Sequence, residues 1–510
     1  MSMNNNETST IRKLKYGSLS VVFTAAFIAL ILALNLILSS IAPKVNLAVD
    51  LSEKELYSLS DSTIQILDEL KEQSNFQITI TFLAERDMYD NDPYAMMVRN
   101  LGEEFARHYP DNISVQYKNI QKDPAFAQQI IAETQTTGLN SSYVVVKGAY
   151  HYRVLSLEAF FIKSSETGNL YAFDGEKRFT AAIQQCSLEK PLVVAFTKGH
   201  GEPDISDIIA GKVESQSASN MKRLCDILMT AGYEIQQVDL SKEDLDERTE
   251  ILIINNPKTD FIGIENPNAE NEIDKIIEFM TGYKDIIVLV NADTPELPNL
   301  QEYLSERWGI NYKPYHKLTD MSHSIKSDGL SIVGQYAGNA NGTASYNITS
   351  VLAGSDIKTV FRNAVELETV NANKADYVLE TVIKTYSTAQ SVYKDEPPRS
   401  GEFPLMLLST YATYVDNARK YKYVLLSSST DFAVDEFMTS AFGNNKIVLG
   451  AMRVMSTERV VPDIDEKPFT ETAMKIEAGT ANTLAWLVTT VFPIIIICAG
   501  VVLFIKRRHL

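Results

Sequence analysis

Residues 191–204 read PLVVAFTKGHGEPD, and this stretch decides the class of fold. Its opening run, PLVVAF, is apolar at successive positions, so neither side of the strand it forms can face water. A strand buried on both faces belongs to a parallel sheet covered by helices. The run stops at Lys198, and Gly199 and Gly201 mark a tight turn. Downstream, Met221, Leu224, Cys225 and Leu228 mark a helix that Gly232 closes. Residues 234–240 alternate in part and residues 251–254 are wholly apolar, which predicts two more strands. Ile273, Ile276, Ile277 and Met280 recur at helical spacing, with Gly282 as the C-cap, and 286–290 is again an apolar strand. Apolar strands alternating with amphipathic helices are βαβ units.

The expectation is therefore an α/β protein with a doubly wound, flavodoxin-like parallel sheet over residues 176–455. A helix at 176–187 leads into it, and residues 405–411 and 421–427 return to strand pattern. Residues 431–442 and 446–455 read as helices, and 335–347 and 393–402 as loop insertions. Upstream lies a smaller α/β domain, residues 43–175. Ser60 caps a helix marked by Ile64, Leu67 and Leu70. FQITITFL at 76–83 is a strand, 94–109 a helix, 113–117 a strand, 125–134 a helix, and 143–146 a strand that hairpins with 150–155.

The ends are different. Residues 18–41 form a 24-residue run without charge, and 484–505 a 22-residue one. About 20 apolar residues span a bilayer core, so the reading is two spans, 18–42 and 484–505. Arg12, Lys13 and Lys15 precede the first; Lys506, Arg507 and Arg508 follow the second. Positive-inside asymmetry puts the 1–17 segment and the 506–510 tail in the cytoplasm. Residues 43–483, with 456–483 as a connector, then lie outside. Ala25, Ala29 and Ala33 make a small-residue stripe suited to helix packing, and Pro493 kinks the second span.

The chain of 510 residues carries 47 Lys+Arg and 65 Asp+Glu, a net −18. Setting aside the six flanking cations and Glu7 leaves 41 basic and 64 acidic residues outside, a net −23. That balance excludes nucleic acid as partner, because phosphate neutralisation needs clustered Lys and Arg. Three Cys exclude a disulfide scaffold and a four-Cys zinc site. Cys186 and Cys225 could pair or stay free.

Several segments resemble the Gldg family, auxiliary components of ABC-type transport systems named from bacterial gliding motility. They are VDLSEKELYSLSDSTIQIL after the first run, FDGEKRFTAAI, VVAFTKGHGE, INNPKTDF, and SSSTDF with FGNNKIVLGAMRVM, closed by the second run ending in Lys and Arg. Tyr283-Lys284 stands where the family often has a Gly-Gly turn. The resemblance implies a two-pass protein of the bacterial cell membrane that partners an ABC permease and a separate cytoplasmic ABC ATPase. It also implies a second domain similar to class I glutamine amidotransferases.

The chemistry agrees with a non-enzymatic role. No Gly-x-x-x-x-Gly-Lys-Ser/Thr loop occurs, so ATP hydrolysis belongs to another subunit. An amidotransferase-like enzyme needs a Cys or Ser on an elbow after a strand; Cys186 ends a helix and Cys225 lies on a helix face. No catalytic residue, cofactor or metal site is expected. His200, Glu202 and Asp204, at a strand end where open α/β sheets bind ligands, are the candidate ligand-binding residues. The plainer alternative is a glycine-permitted turn. A membrane-tethered hydrolase and a ligand-binding receptor remain the rival readings.

Overall fold

The computed structural model describes residues 56–469 except 74–75, 135–137, 164–168, 190, 210–219, 264–269, 326–327, 339–340, 371–376, 395, 416–417, 440, 456–463 and 465. Residues 59–469 form one compact unit. It is a mixed α/β structure with several sheets. Both uncharged runs, with Ala25, Ala29, Ala33, Pro493 and Cys498, lie outside the described residues. Among the described residues, no helix is long and apolar enough to cross a membrane.

The first layer opens with α1 (Asp61–Gln73), β1 (Ile78–Phe82), α2 (Pro93–His108), β2 (Ile113–Tyr117), α3 (Pro124–Thr134), β3 (Tyr143–Lys147) and β4 (Tyr152–Ser156). The Ser60 hydroxyl accepts from Thr63 N at 3.3 Å, and the Asp92 side chain accepts from Tyr94 N, so both helices start on capping residues. The sheet runs β2-β1-β3-β4, with β1 and β2 parallel and the rest antiparallel. Next come β5 (Phe161–Lys163), β6 (Leu170–Phe173) and α4 (Gly175–Ser187). Helix α4 is buried along nearly all its length. Phe179 meets Phe105 and Phe160, the Cys186 thiol donates to the Val146 carbonyl at 3.4 Å, and Gln185 Nε2 donates to the Met229 carbonyl at 2.9 Å. It thus joins the first sheet to the next helix in sequence.

The large sheet is built from β7 (Val193–Thr197), α5 (Lys222–Thr230), β8 (Glu234–Val238), β9 (Thr249–Asn255), α6 (Glu272–Thr281), β10 (Asp285–Leu289), α7 (Pro298–Trp308) and, much later, β20 (Ala418–Ser427). These five strands are parallel and stand in the order β8-β7-β9-β10-β20, which in chain order is 2-1-3-4-5. Alternate residues serve opposite faces. Val194, Phe196, Ile251, Ile253, Ile287 and Leu425 pack with Leu224 and Leu228 of α5. Val193, Ala195, Leu252, Ile254, Ile286, Val288 and Val424 pack with Ile276 of α6 and Leu300 of α7. Burial on both faces is why these strands read as continuous apolar runs.

The sheet is mixed rather than parallel throughout. Between α7 and β20 the chain forms β11 (Ile310–Thr319), β12 (Ser331–Val333), β13 (Gln335–Tyr336), α8 (Ala344–Thr349), β14 (Val360–Arg362), β15 (Val365–Thr369), β16 (Tyr377–Lys384), β17 (Gln390–Val392), β18 (Arg399–Ser400) and β19 (Pro404–Val415). Strands β19, β16 and β13 extend the large sheet antiparallel beyond β20. Strands β15, β11, β17 and β18 make a separate antiparallel sheet. The expected loop at 335–347 holds β13 and most of α8, whose cap is Thr343.

One local expectation is corrected. Among the described residues of 431–442 there is one 3-10 turn, Asp431–Ala433, and no α-helix. Asp435 is the reason: its N–H donates to the Asn220 carbonyl at 3.0 Å and its carboxylate accepts Arg223 N at 2.7 Å, tying this segment to the start of α5. Gly282 caps α6 as expected, with φ −76°, and the left-handed position falls on the next residue, Tyr283, at φ 58°. Helix α9 (Asn444–Met455) and strand β21 (Lys467–Pro468), paired with β6, complete the unit.

Candidate functional site

The carboxyl edge of the parallel strands gathers three of the motifs singled out in the sequence. Strand β7 runs into Lys198-Gly199-His200-Gly201-Glu202, and the two glycines let the loop fold back. Gly199 (φ 109°) lies where a Cβ would come within 3.3 Å of the Asp239 carboxylate; at Gly201 (φ 86°) it would come within 2.9 Å of Lys258 Cβ. A side chain at either is strained and crowded. The segment after β9 closes on this loop: Lys258 N and Thr259 N both donate to the His200 carbonyl, at 2.6 and 3.0 Å.

The His200 side chain enters the crevice between β7 and β9, where the helices that follow the two strands diverge. Its ring stacks on Phe261, centroids 4.1 Å apart and planes at 26°. Nε2 meets Glu272 Oε2 at 3.0 Å, and Nδ1 lies 3.4 Å from Glu202 Oε1. Glu272 Oε2 also accepts Ile262 N at 2.8 Å, and Glu202 Oε2 accepts His200 N at 2.7 Å. His200 is 6% exposed and Glu272 fully buried. Burial alone would lower the imidazole pKa, but the hydrogen bonds and charges of Glu202 and Glu272 prevail and push it up to about 9. Burial would likewise raise Glu202, and its contacts with His200 hold it below the ordinary carboxylate value. The raised pKa favours a protonated His200 at neutral pH, bonded to Glu272 and beside Glu202. This contact clamps the loop after β7 to the first turn of α6.

Asp204 does not join this cluster. It is exposed, and its carboxylate accepts Ser206 N at 2.8 Å to start a single helical turn at Ser206–Ile209. The third member is Glu272, 72 residues from His200. In the sequence it reads as an ordinary acid in a helix first turn after Asn271, which caps α6 through Asp274 N. Glu272 therefore carried no local signal.

The other two motifs supply the rest of the edge. In INNPKTDF, Asn255 Oδ1 accepts from the Thr430 hydroxyl at 2.5 Å, and the Asp260 carboxylate accepts Asn299 N at 2.7 Å and so caps α7. In SSSTDF, Ser427, Ser428 and Ser429 are fully buried, and the Ser429 hydroxyl bonds the Arg362 carbonyl at 2.5 Å. These polar side chains hold the loops to one another.

Residues 53–156 match a family described as a domain of unknown function (DUF7088). No curated protein matches the chain. Among solved structures, the chain is similar to one titled "mmIFT52 N-terminal domain", with 14% identity and a TM-score of 0.34, covering 52% of this chain and 98% of that one.

Cys186 and Cys225 are free and buried rather than paired, and burial raises both thiols to about 12. Among the described residues, no group of three or more His, Cys, Asp or Glu side chains is arranged to hold a metal ion.

The clamp predicts a pH signature. His200 titrates near 9 when folded against an ordinary 6.5, so its stabilisation is complete below pH 6.5 and lost as pH rises towards 9. The shift corresponds to about 3 kcal/mol. Glu202 acts oppositely: its contribution is lost as pH falls through its lowered pKa. Urea unfolding of the wild type and Glu272→Gln over this range should show a wild-type advantage that shrinks from pH 6.5 to 9. Parallel curves would refute the clamp's charge state.

Proposed function

We propose that the chain is a non-enzymatic, membrane-anchored auxiliary subunit of an ABC-type transport system, as its resemblance to the Gldg family implies. On this reading its outer region partners a permease and offers surfaces to cargo or envelope components. The observation that carries the reading is the buried His200–Glu272 contact at the strand ends. Where open α/β sheets hold their ligands, His200 bonds Glu272 and stacks on Phe261, and all three side chains are buried. The 2-1-3-4-5 strand order supports the flavodoxin-like, glutamine-amidotransferase-like assignment. Enzymes of that layout need an activated thiol or hydroxyl at a strand end; Cys186 and Cys225 are helix residues with raised thiol pKa values. The uncharged runs 18–41 and 484–505, with their flanking cations, support two membrane passes and a cytoplasmic location for both termini. Two single helices cannot enclose a transport path, so the reading requires a polytopic permease and, with no phosphate-binding loop in this chain, a separate ATPase.

The full chain purified from its own cells in mild detergent should bring down a polytopic permease and an ABC ATPase. Purification alone, without either, overturns the reading.

A further inference from the structure

The hairpin of β19 and β20 runs past its neighbours. Strand β10 begins at Asp285, whose carboxylate accepts Tyr423 N at 2.7 Å, and it pairs with β20 only from Val424 to Ser427. Among the described residues, strand β16 pairs with β19 as far as Tyr411. Beyond these points Ala412, Thr413, Tyr414 and Val415 pair with Tyr421, Lys420, Arg419 and Ala418 as a two-stranded ribbon. A two-stranded ribbon is marginal in water.

Its faces are specific. One carries Tyr414, Arg419, Tyr421 and Tyr423: the guanidinium lies 5.2 Å over the Tyr421 ring, and Tyr421 stacks on Tyr423 at 5.9 Å. Tyr414 is 74% exposed. On the other face the Lys422 ammonium sits 5.5 Å from the Tyr411 ring and 5.1 Å from that of Tyr283, with Lys420 exposed beyond it. Residues 411–422 thus hold three cations, Arg419, Lys420 and Lys422, and one acid, Asp416, in a chain of net −18. Among the described residues, no strand pairs with the outer edge of β20 over 418–422, leaving backbone donors and acceptors open.

We propose that this ribbon docks an extended acidic segment of a partner protein, which adds to the free edge of β20. Main-chain pairing supplies affinity, and Arg419, Lys420 and Lys422 supply the charge complementarity that selects an acidic strand. Tyrosine and arginine are the residues that most often anchor such contacts. The edge and the charge pattern are independent of whether a permease binds the chain.

The test uses the full chain in phosphatidylcholine nanodiscs and a fluorescent dodecapeptide of alternating Glu and Thr. The peptide should bind, weaken as salt rises from ~50 to ~500 mM, and weaken about tenfold or more with Arg419→Glu plus Lys420→Glu. Both residues are exposed, so the thermal unfolding midpoint of that variant should stay at the wild-type value. Absent binding, equal binding by the double variant, or preference for a Lys-Thr dodecapeptide overturns the proposal. So does loss of peptide binding when about a third of the lipid is phosphatidylglycerol, which would assign the ribbon to an anionic bilayer.

Discussion

Glu272→Ala should destabilise the protein by about 3–5 kcal/mol, the cost of removing one partner from a buried ion pair. The carboxylate it deletes is fully buried and serves two donors, His200 Nε2 and Ile262 N. Truncation leaves the imidazole facing Glu202 alone and the Ile262 N–H without its acceptor, both away from water. Glu272→Gln is the finer probe, since its amide oxygen keeps the Ile262 bond while removing the charge. It should cost less than Ala and bring the His200 pKa down. Urea unfolding at neutral pH measures both. A loss below ~1 kcal/mol for Glu272→Ala would mean that the crevice is wet and that the ion pair contributes no more than one at the surface.

Gly148→Ala should be comparably damaging for a steric reason. A Cβ at this position would fall inside the van der Waals radius of the Cys186 carbonyl oxygen and press on Cys186 Cβ. The obstacle is main chain in the last turn of α4, a helix wedged between the first sheet and α5. It cannot swing aside as a side chain would. Overpacking costs about 1–3 kcal/mol, with the upper end expected where main chain is the obstacle, and the thermal unfolding midpoint should fall accordingly. Gly282→Ala is the matched control: its φ of −76° suits any residue and its Cβ would meet nothing closer than 3.5 Å. It should leave the midpoint unchanged or slightly raised. Equal effects at the two glycines would contradict the packing of α4.

Much of this architecture is legible in the chain because burial on both faces leaves a plain mark. Strands β7, β9 and β10 are continuous apolar runs, and the structure places them within a few residues of where those runs begin and end. The antiparallel region is not legible in the same way. Strand β11, INYKPYHKLT, contains Pro314, a register shift between Tyr312 and Lys317, and Tyr315 at φ 65°. Each interrupts the two-residue period that would have announced it. The ribbon was hidden differently: its strands were visible, but only register shows that they outrun their neighbours.

The site divides along the same line. Gly199, His200, Gly201 and Glu202 are adjacent, and their grouping at a strand end follows from the sequence alone. Asp204 belongs to that run by position, yet its carboxylate turns to cap the next turn instead. Glu272 comes from the far side of the crevice, brought in by the pairing of β7 with β9. Sequence reasoning finds groups that share a loop; it does not find groups that share a sheet edge across 72 residues.

The central claim, that the strand-end crevice is closed by a buried imidazolium, is tested most directly by titrating His200 in the full chain. With histidine ring carbons labelled, the His200 signal is assigned by its loss in His200→Gln and followed by NMR across pH. The account predicts protonation that persists to about pH 9. A midpoint at or below the ordinary 6.5 would contradict it, because His200 would then be a neutral, accessible ring with an open strand end around it.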